Sequence, residues 1–147
     1  MSQEGALKHR DLTQRIIGVF FEVYNELGHG FLESVYEKSF HVALSASGLH
    51  VLTKIEVPVW FRGQKVGDFE ADMLVEHRVL IELKAGRALD TAHEAQLLNY
   101  LRATEIEVGM LFGFGIKPEF RRLAYDNRRK QHGDKPKLLA NLLSAKS

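Results

Sequence analysis

Cysteine is absent from the 147 residues. That excludes disulfides, thiolate metal sites and cysteine nucleophiles, and it fits a reducing compartment. A long apolar run is absent too: nothing reaches the roughly 18 residues that a membrane span needs. The opening stretch, Met1 to Asp11, carries no hydrophobic signal core. These absences lead to the expectation of a cytoplasmic protein without a membrane. Internal repeats, low-complexity tracts and dividing linkers are also missing, and the length suits one domain that can bury its own core.

Charge of one sign is lacking overall, since the net charge is +1, but it is unevenly placed. Residues 127–147 hold six Lys or Arg against one acid, Asp134, a net +5; the rest holds 14 against 18, a net −4. The expected organisation is a domain over 1–126 and a basic tail over 127–147. Such a tail can contact nucleic acid or serve only for solubility. Arg121 and Arg122, then Arg128, Arg129 and Lys130, put five cations within ten residues, the best candidates for a phosphate-binding surface.

What is present is clear periodicity. Asp11-Leu12-Thr13-Gln14 reads as a capping box, followed by Ile16, Ile17, Phe20, Val23, Tyr24 and Leu27 at helical spacing. Gly28 supplies a left-handed stop. A second helix is predicted over about 31–47, ended by Gly48. The period then changes: Val51 to Phe61 is rich in β-branched and aromatic residues, Arg62-Gly63-Gln64 reads as a turn, and the return strand starts near Val66 and runs through Phe69 to Val75. Glu76-His77-Arg78 reads as another turn. Val79 to Leu83 is nearly all apolar, as in a strand buried on both faces. A capping box at Thr91-Ala92-His93-Glu94 opens a helix with Ala95, Leu98 and Leu101 as its apolar stripe. Val108 to Phe114 is a further buried strand, Phe120 to Tyr125 a possible edge strand, and 137–146 a possible short amphipathic helix. The order implies an α/β fold with a central mixed β-sheet flanked by helices.

Polar residues break this pattern at informative places. Asp72 lies in an otherwise apolar strand. Glu82 interrupts the next one, and Lys84, two residues on, projects from the same face. If the hairpin pairs these strands, Asp72 approaches Glu82. Two carboxylates and an ammonium at a core edge are costly unless they are paired or bind a metal. Oxygen ligands favour Mg²⁺ or Mn²⁺. The lysine could hold an attacking water or steady charge on a phosphate; a structural ion pair is the alternative. Gln96 and Tyr100 share one helical face, with His93 and Glu94 nearby, where amide and phenol could meet a phosphate or form an ordinary polar surface. Glu33 and Tyr36 are neighbours in the second helix, where a first-turn Glu could equally complement the helix dipole.

Taken in order, four segments carry a resemblance: Gly30-Phe31-Leu32-Glu33-Ser34-Val35-Tyr36, Gly67 through Val75 around Asp72, Ile81-Glu82-Leu83-Lys84, and His93 through Leu101 around Gln96 and Tyr100. Together they resemble the GxxExxY protein family, a branch of the PD-(D/E)xK nuclease superfamily, over about residues 12–125. The resemblance implies a restriction-endonuclease-like core with a metal site at one edge. It implies Asp72 and Glu82 as metal-binding acids, Lys84 as the catalytic lysine, Glu33 as an acid from the first core helix, and Gln96 and Tyr100 as a QxxxY helix. Ala71 stands where the superfamily has proline. The implied activity is Mg²⁺- or Mn²⁺-dependent hydrolysis of DNA phosphodiesters, with the Leu83 carbonyl as a further metal ligand. The alternative is a nucleic-acid-binding or protein-interaction module on the same fold, with the leucine-rich end docking on a partner. A homo-oligomer is left open.

Overall fold

A computed structural model describes residues 8–130 together with Leu138, Leu139 and Leu142. In chain order the elements are α1 (Arg10–Leu27), α2 (Glu33–Ala46), β1 (Val51–Phe61), β2 (Gln64–Val75), β3 (Val79–Ala85), α3 (Thr91–Ala103), β4 (Val108–Phe114), β5 (Pro118–Ala124) and a single 3₁₀ turn over Asn127–Arg129. The strands form one sheet in the order β1-β2-β3-β4-β5. β3 and β4 run parallel; the other neighbours run antiparallel. A parallel pair needs a long crossover, and α3 is that crossover. The expected mixed sheet is therefore present, with helices on both faces.

Two apolar layers hold it. α1 and α2 contribute Ile16, Phe20, Tyr36, Phe40 and Leu44 to a cluster with Met73, Ile81, Leu83, Met110, Phe112 and Phe114. On the other face, Leu97, Tyr100 and Leu101 of α3 pack with Ile55, Val57, Ala71, Leu74, Leu80 and Leu111. β3 and β4 are covered on both sides, which explains the apolar sequence of β4 and that of β3 outside Glu82 and Lys84.

Several element ends differ from expectation. α1 begins two residues earlier than an Asp11 cap implies, at Arg10; His9 holds the cap position in a left-handed conformation, and Asp11 sits in the first turn, where it complements the dipole instead of capping. At α3 the cap is Asp90, one residue before the expected Thr91. Its Oδ1 accepts from the His93 amide at 2.9 Å, and His93 Nδ1 accepts from the Asp90 amide at 3.2 Å. The carboxylate precedes the threonine and closes the box first. The α3 stripe is also rotated: Leu97, Tyr100 and Leu101 are buried, Leu98 is half-buried and Ala95 is exposed. Gly109 on β4 is the reason. A Cβ there would lie 2.9 Å from Leu97 Cδ1, so the missing side chain admits Leu97 to the sheet. β5 starts at Pro118, which an edge strand tolerates at its first position.

The chain past β5 stays attached. Lys130 Nζ donates to the carbonyls of Thr104 and Ile106, both at 2.8 Å, and the Arg129 guanidinium lies 4.6 Å from the centroid of the Tyr125 ring. Leu138 is buried in the α3-side cluster, with Leu139 and Leu142 against it. The Glu105 carboxylate accepts from the Leu138 amide at 2.7 Å and from the Leu139 amide. Leu138, Leu139 and Leu142 of the end offered above for a partner are thus packed on the chain's own core. The rest of the expected 137–146 helix lies outside the described residues.

Tyr36 fixes the link between α1 and α2. It is fully buried and stacks on Phe114 at 4.3 Å and 18°. Its hydroxyl donates to the Gly28 carbonyl at 2.5 Å and accepts from the Phe31 amide at 3.2 Å. Gly28, with φ 71 and ψ −171, holds a conformation open to glycine alone, an extended one in place of the expected left-handed helical stop. Tyr36→Phe should therefore lower stability by about 1 kcal/mol, because the part-buried Gly28 carbonyl loses its donor. Urea unfolding measures this, and an unshifted midpoint would remove the hydroxyl from the scaffold.

Candidate active site at the parting of two strands

β2 and β3 pair only through Met73–Ile81, Leu74–Leu80 and Val75–Val79. One step further, Asp72 and Glu82 replace the ladder with their side chains. The Leu83 amide donates to Asp72 Oδ2 at 2.7 Å, and the Asp72 amide donates to Glu82 Oε1 at 3.0 Å. The reciprocal bonds hold the two acids side by side where the strands part, as a hairpin pairing of these strands requires. They use Oδ2 and Oε1, leaving Oδ1 and Oε2 for another partner.

The strand also turns over here. Met73 and Val75 pack on the α1/α2 side, yet Ala71 packs on the α3 side. Across the ladder, Thr53 faces Met73 and Ile55 faces Ala71, with Lys54 between them at φ 55. A left-handed lysine costs on the order of 1 kcal/mol. It reverses the faces of both strands at the level of Asp72. The distal part of the β1–β2 hairpin then leans its apolar side toward α3.

Burial dominates the electrostatics. The Glu82 carboxyl is 4% exposed and is pushed up to about 8, by burial first and the Asp72 charge next; the Asp72 amide and Lys84 oppose this. Asp72 is raised to about 6, by burial first, against the Leu83 amide; the charges of Glu37 and Glu33 add to the rise and Lys84 opposes it. Lys84 thus lies within electrostatic reach of both acids, but among the described residues it enters no ion pair. The structural ion pair considered for it is not formed among the described residues.

Tyr100 joins the group from α3. Its pKa is raised by burial and then by the Glu82 charge, and its hydroxyl accepts from Gln96 Nε2 at 2.9 Å. Gln96 and Tyr100 are one hydrogen-bonded unit, and Tyr100 lies within electrostatic reach of Glu82 and Asp72. Glu33 is exposed at the start of α2 and reaches Asp72 and Glu82 only through its charge. Glu37, four residues on, was missed in the sequence, although i and i+4 carboxylates share a helix face. Among the described residues no three Asp, Glu or His side chains are drawn together as a ligand set. The donor chemistry nonetheless fits a hard cation: two adjacent, half-desolvated carboxylates with more acids close by, all oxygen.

The five cations singled out above are placed elsewhere, on β5 and beyond, and are engaged with the chain. Arg121 lies 3.4 Å from Glu94 and 3.9 Å from Glu119. Arg122 donates to the Lys8 carbonyl, and Arg128 pairs with Asp126 at 3.0 Å. Arg129 and Lys130 make the contacts given above.

A family model described as the PD-(D/E)XK nuclease superfamily matches residues 10–123, which include every element from α1 to the end of β5 apart from its last residue. The chain belongs to this superfamily. Its mixed sheet flanked by helices is the restriction-endonuclease-like fold. A search of curated proteins finds no match. Among solved structures, the crystal structure of SSO0001 is similar in fold, with a TM-score of 0.52 and 16% identity over 64% of this chain and 50% of that one. The chain therefore spans about half of that relative. Among the described residues no helix is long and apolar enough to cross a membrane.

Proposed function

We propose that this protein is a metal-dependent nuclease hydrolysing DNA phosphodiesters, in the GxxExxY branch of its superfamily and acting in the cytoplasm. The observation that carries this reading is the locked Asp72–Glu82 pair at the parting strands, with Lys84 on the face of Glu82. Asp72 and Glu82 would hold a Mg²⁺ or Mn²⁺ ion, with Glu33 and the Leu83 carbonyl as further oxygen donors. When bound, the ion supplies positive charge to the phosphate and the leaving oxygen. Lys84 holds the attacking water and stabilises charge that develops on the phosphate. Gln96 donates to Tyr100, leaving the phenol proton to orient a phosphate oxygen. Glu37 joins Glu33 in adding negative charge, which strengthens the demand for a cation.

The domain would be residues 1–126, with 127–147 as a basic extension. Because Arg121 and Arg122 of β5 and Arg128, Arg129 and Lys130 of the extension already meet groups of the chain, these five are weaker candidates for DNA contact than the site itself. Charge reversal at Arg128, Arg129 and Lys130 would flatten the salt dependence of DNA affinity only if they also meet phosphates. The test of the main reading is cleavage of labelled single-stranded, duplex and branched DNA with Mg²⁺ or Mn²⁺, abolished by EDTA. Binding without turnover on every substrate would instead favour a binding module on this fold.

A further inference from the structure

A cavity of about 610 Å³ lies between α3 and the β1–β2 hairpin, and Tyr100 in its wall is within electrostatic reach of Glu82 and Asp72. Its walls include the rings of Trp60, Phe69 and Tyr100 and the amides of Gln96 and Asn99, and Ala95 stands at its side. Tyr100 and Gln96 therefore belong both to the cavity and to the phosphodiesterase site. The size lies within the range of small-molecule sites, and aromatic walls with a few amides suit a flat heterocycle.

The chain builds this cavity with a local irregularity. Neighbouring residues of a strand point to opposite faces, yet Val59 and Trp60 both line it. The register between β1 and β2 shifts between these two residues, a bulge that re-aims Trp60. Phe69 is 49% exposed and its ring lies 6.2 Å from that of Tyr100, so a large aromatic surface stands uncovered beside Tyr100. Trp60 Nε1 is buried without a hydrogen-bond partner among the described residues. Such a donor is rarely left unpaired.

We propose that this cavity takes one unstacked nucleobase of the substrate strand, next to the phosphate that a cation at Asp72 and Glu82 would engage. This deepens the nuclease reading and rests on it for the position of the phosphate. The substrate class is then nucleic acid that can present an unpaired base: a single strand, a loop, a flap or an extruded nucleotide. Base stacking on aromatic side chains is tolerant of sequence, because every base has a π-face, while the Gln96 and Asn99 amides can meet its edge.

Trp60 is the chain's one tryptophan, so its emission reports directly on the cavity. The wild-type protein is titrated in EDTA with an oligothymidylate and with an abasic strand of equal length. The expected result is quenching by the first and not by the second, and ~5- to 100-fold tighter binding of the base-bearing strand. Ala95→Phe, which fills the cavity from an exposed position and so spares the core, should abolish that preference and leave the abasic affinity unchanged. Equal affinities, an unquenched Trp60, or an Ala95→Phe variant that keeps the preference would each overturn the proposal. Cleavage with Mg²⁺, lost in Lys84→Ala, is followed in parallel. Cleavage without base preference sinks the cavity alone; base-dependent quenching without cleavage sinks the nuclease reading alone.

Discussion

Lys84→Ala is expected to reduce Mg²⁺-supported DNA cleavage by at least ~10²-fold, the scale on which removing one preorganised donor to a developing charge acts. The fold should tolerate the change. Lys84 is half-buried and enters no ion pair among the described residues, so its loss should shift the melting temperature by no more than about 2 °C. A second signature separates a site lysine from a scaffold one. Lys84 lowers the pKa of both Asp72 and Glu82. Without it both values rise further, and less of the pair is fully ionised at a given pH. Whatever activity survives should therefore need a higher pH than the wild type. Cleavage by a highly purified Lys84→Ala protein at the wild-type rate, with the same pH profile, would leave the lysine without a catalytic role.

The site was legible because its residues break local rules. Charged residues inside strands that otherwise read as core mark a place where burial serves chemistry. That logic found Asp72, Glu82 and Lys84, and the two-residue period put Glu82 and Lys84 on one face. The Gln96–Tyr100 pair followed from helical spacing. The double burial of β3 and β4 was readable as well, from the near-continuous apolar run of Val79 to Leu83 and the apolar run of Val108 to Phe114. What stayed hidden depends on tertiary contact. The rotation of α3 follows from the space above Gly109, which no periodicity encodes. The face reversal at Lys54 and Asp72 leaves composition unchanged and needs the register to be seen. The surroundings of the basic cluster were hidden for a related reason: a count of cations does not tell which carbonyls and acids of the chain meet them, as those of Thr104, Ile106 and Asp126 do.

Glu82→Gln should make the metal-free protein more stable at high pH while abolishing cleavage. Burial raises the Glu82 carboxyl from its ordinary 4.5 to about 8. Between those values the folded chain keeps a proton that the unfolded chain releases. The stabilisation from that proton is complete below the ordinary value and is lost as pH rises through about 8. Above that, the folded chain carries a buried charge beside Asp72, a cost that glutamine avoids. Its amide oxygen can still accept from the Asp72 backbone, so the bond at the strand parting survives. In EDTA near pH 9, unfolding by urea should show Glu82→Gln more stable than wild type by on the order of 2 kcal/mol. Near pH 5 the difference should shrink, because both proteins are then neutral at this position when folded. Mg²⁺ should reverse the order at high pH, since binding to the native pair alone stabilises the wild type by mass action. A variant less stable than wild type in EDTA near pH 9 would show that the two acids are held together for the fold and not for a cation.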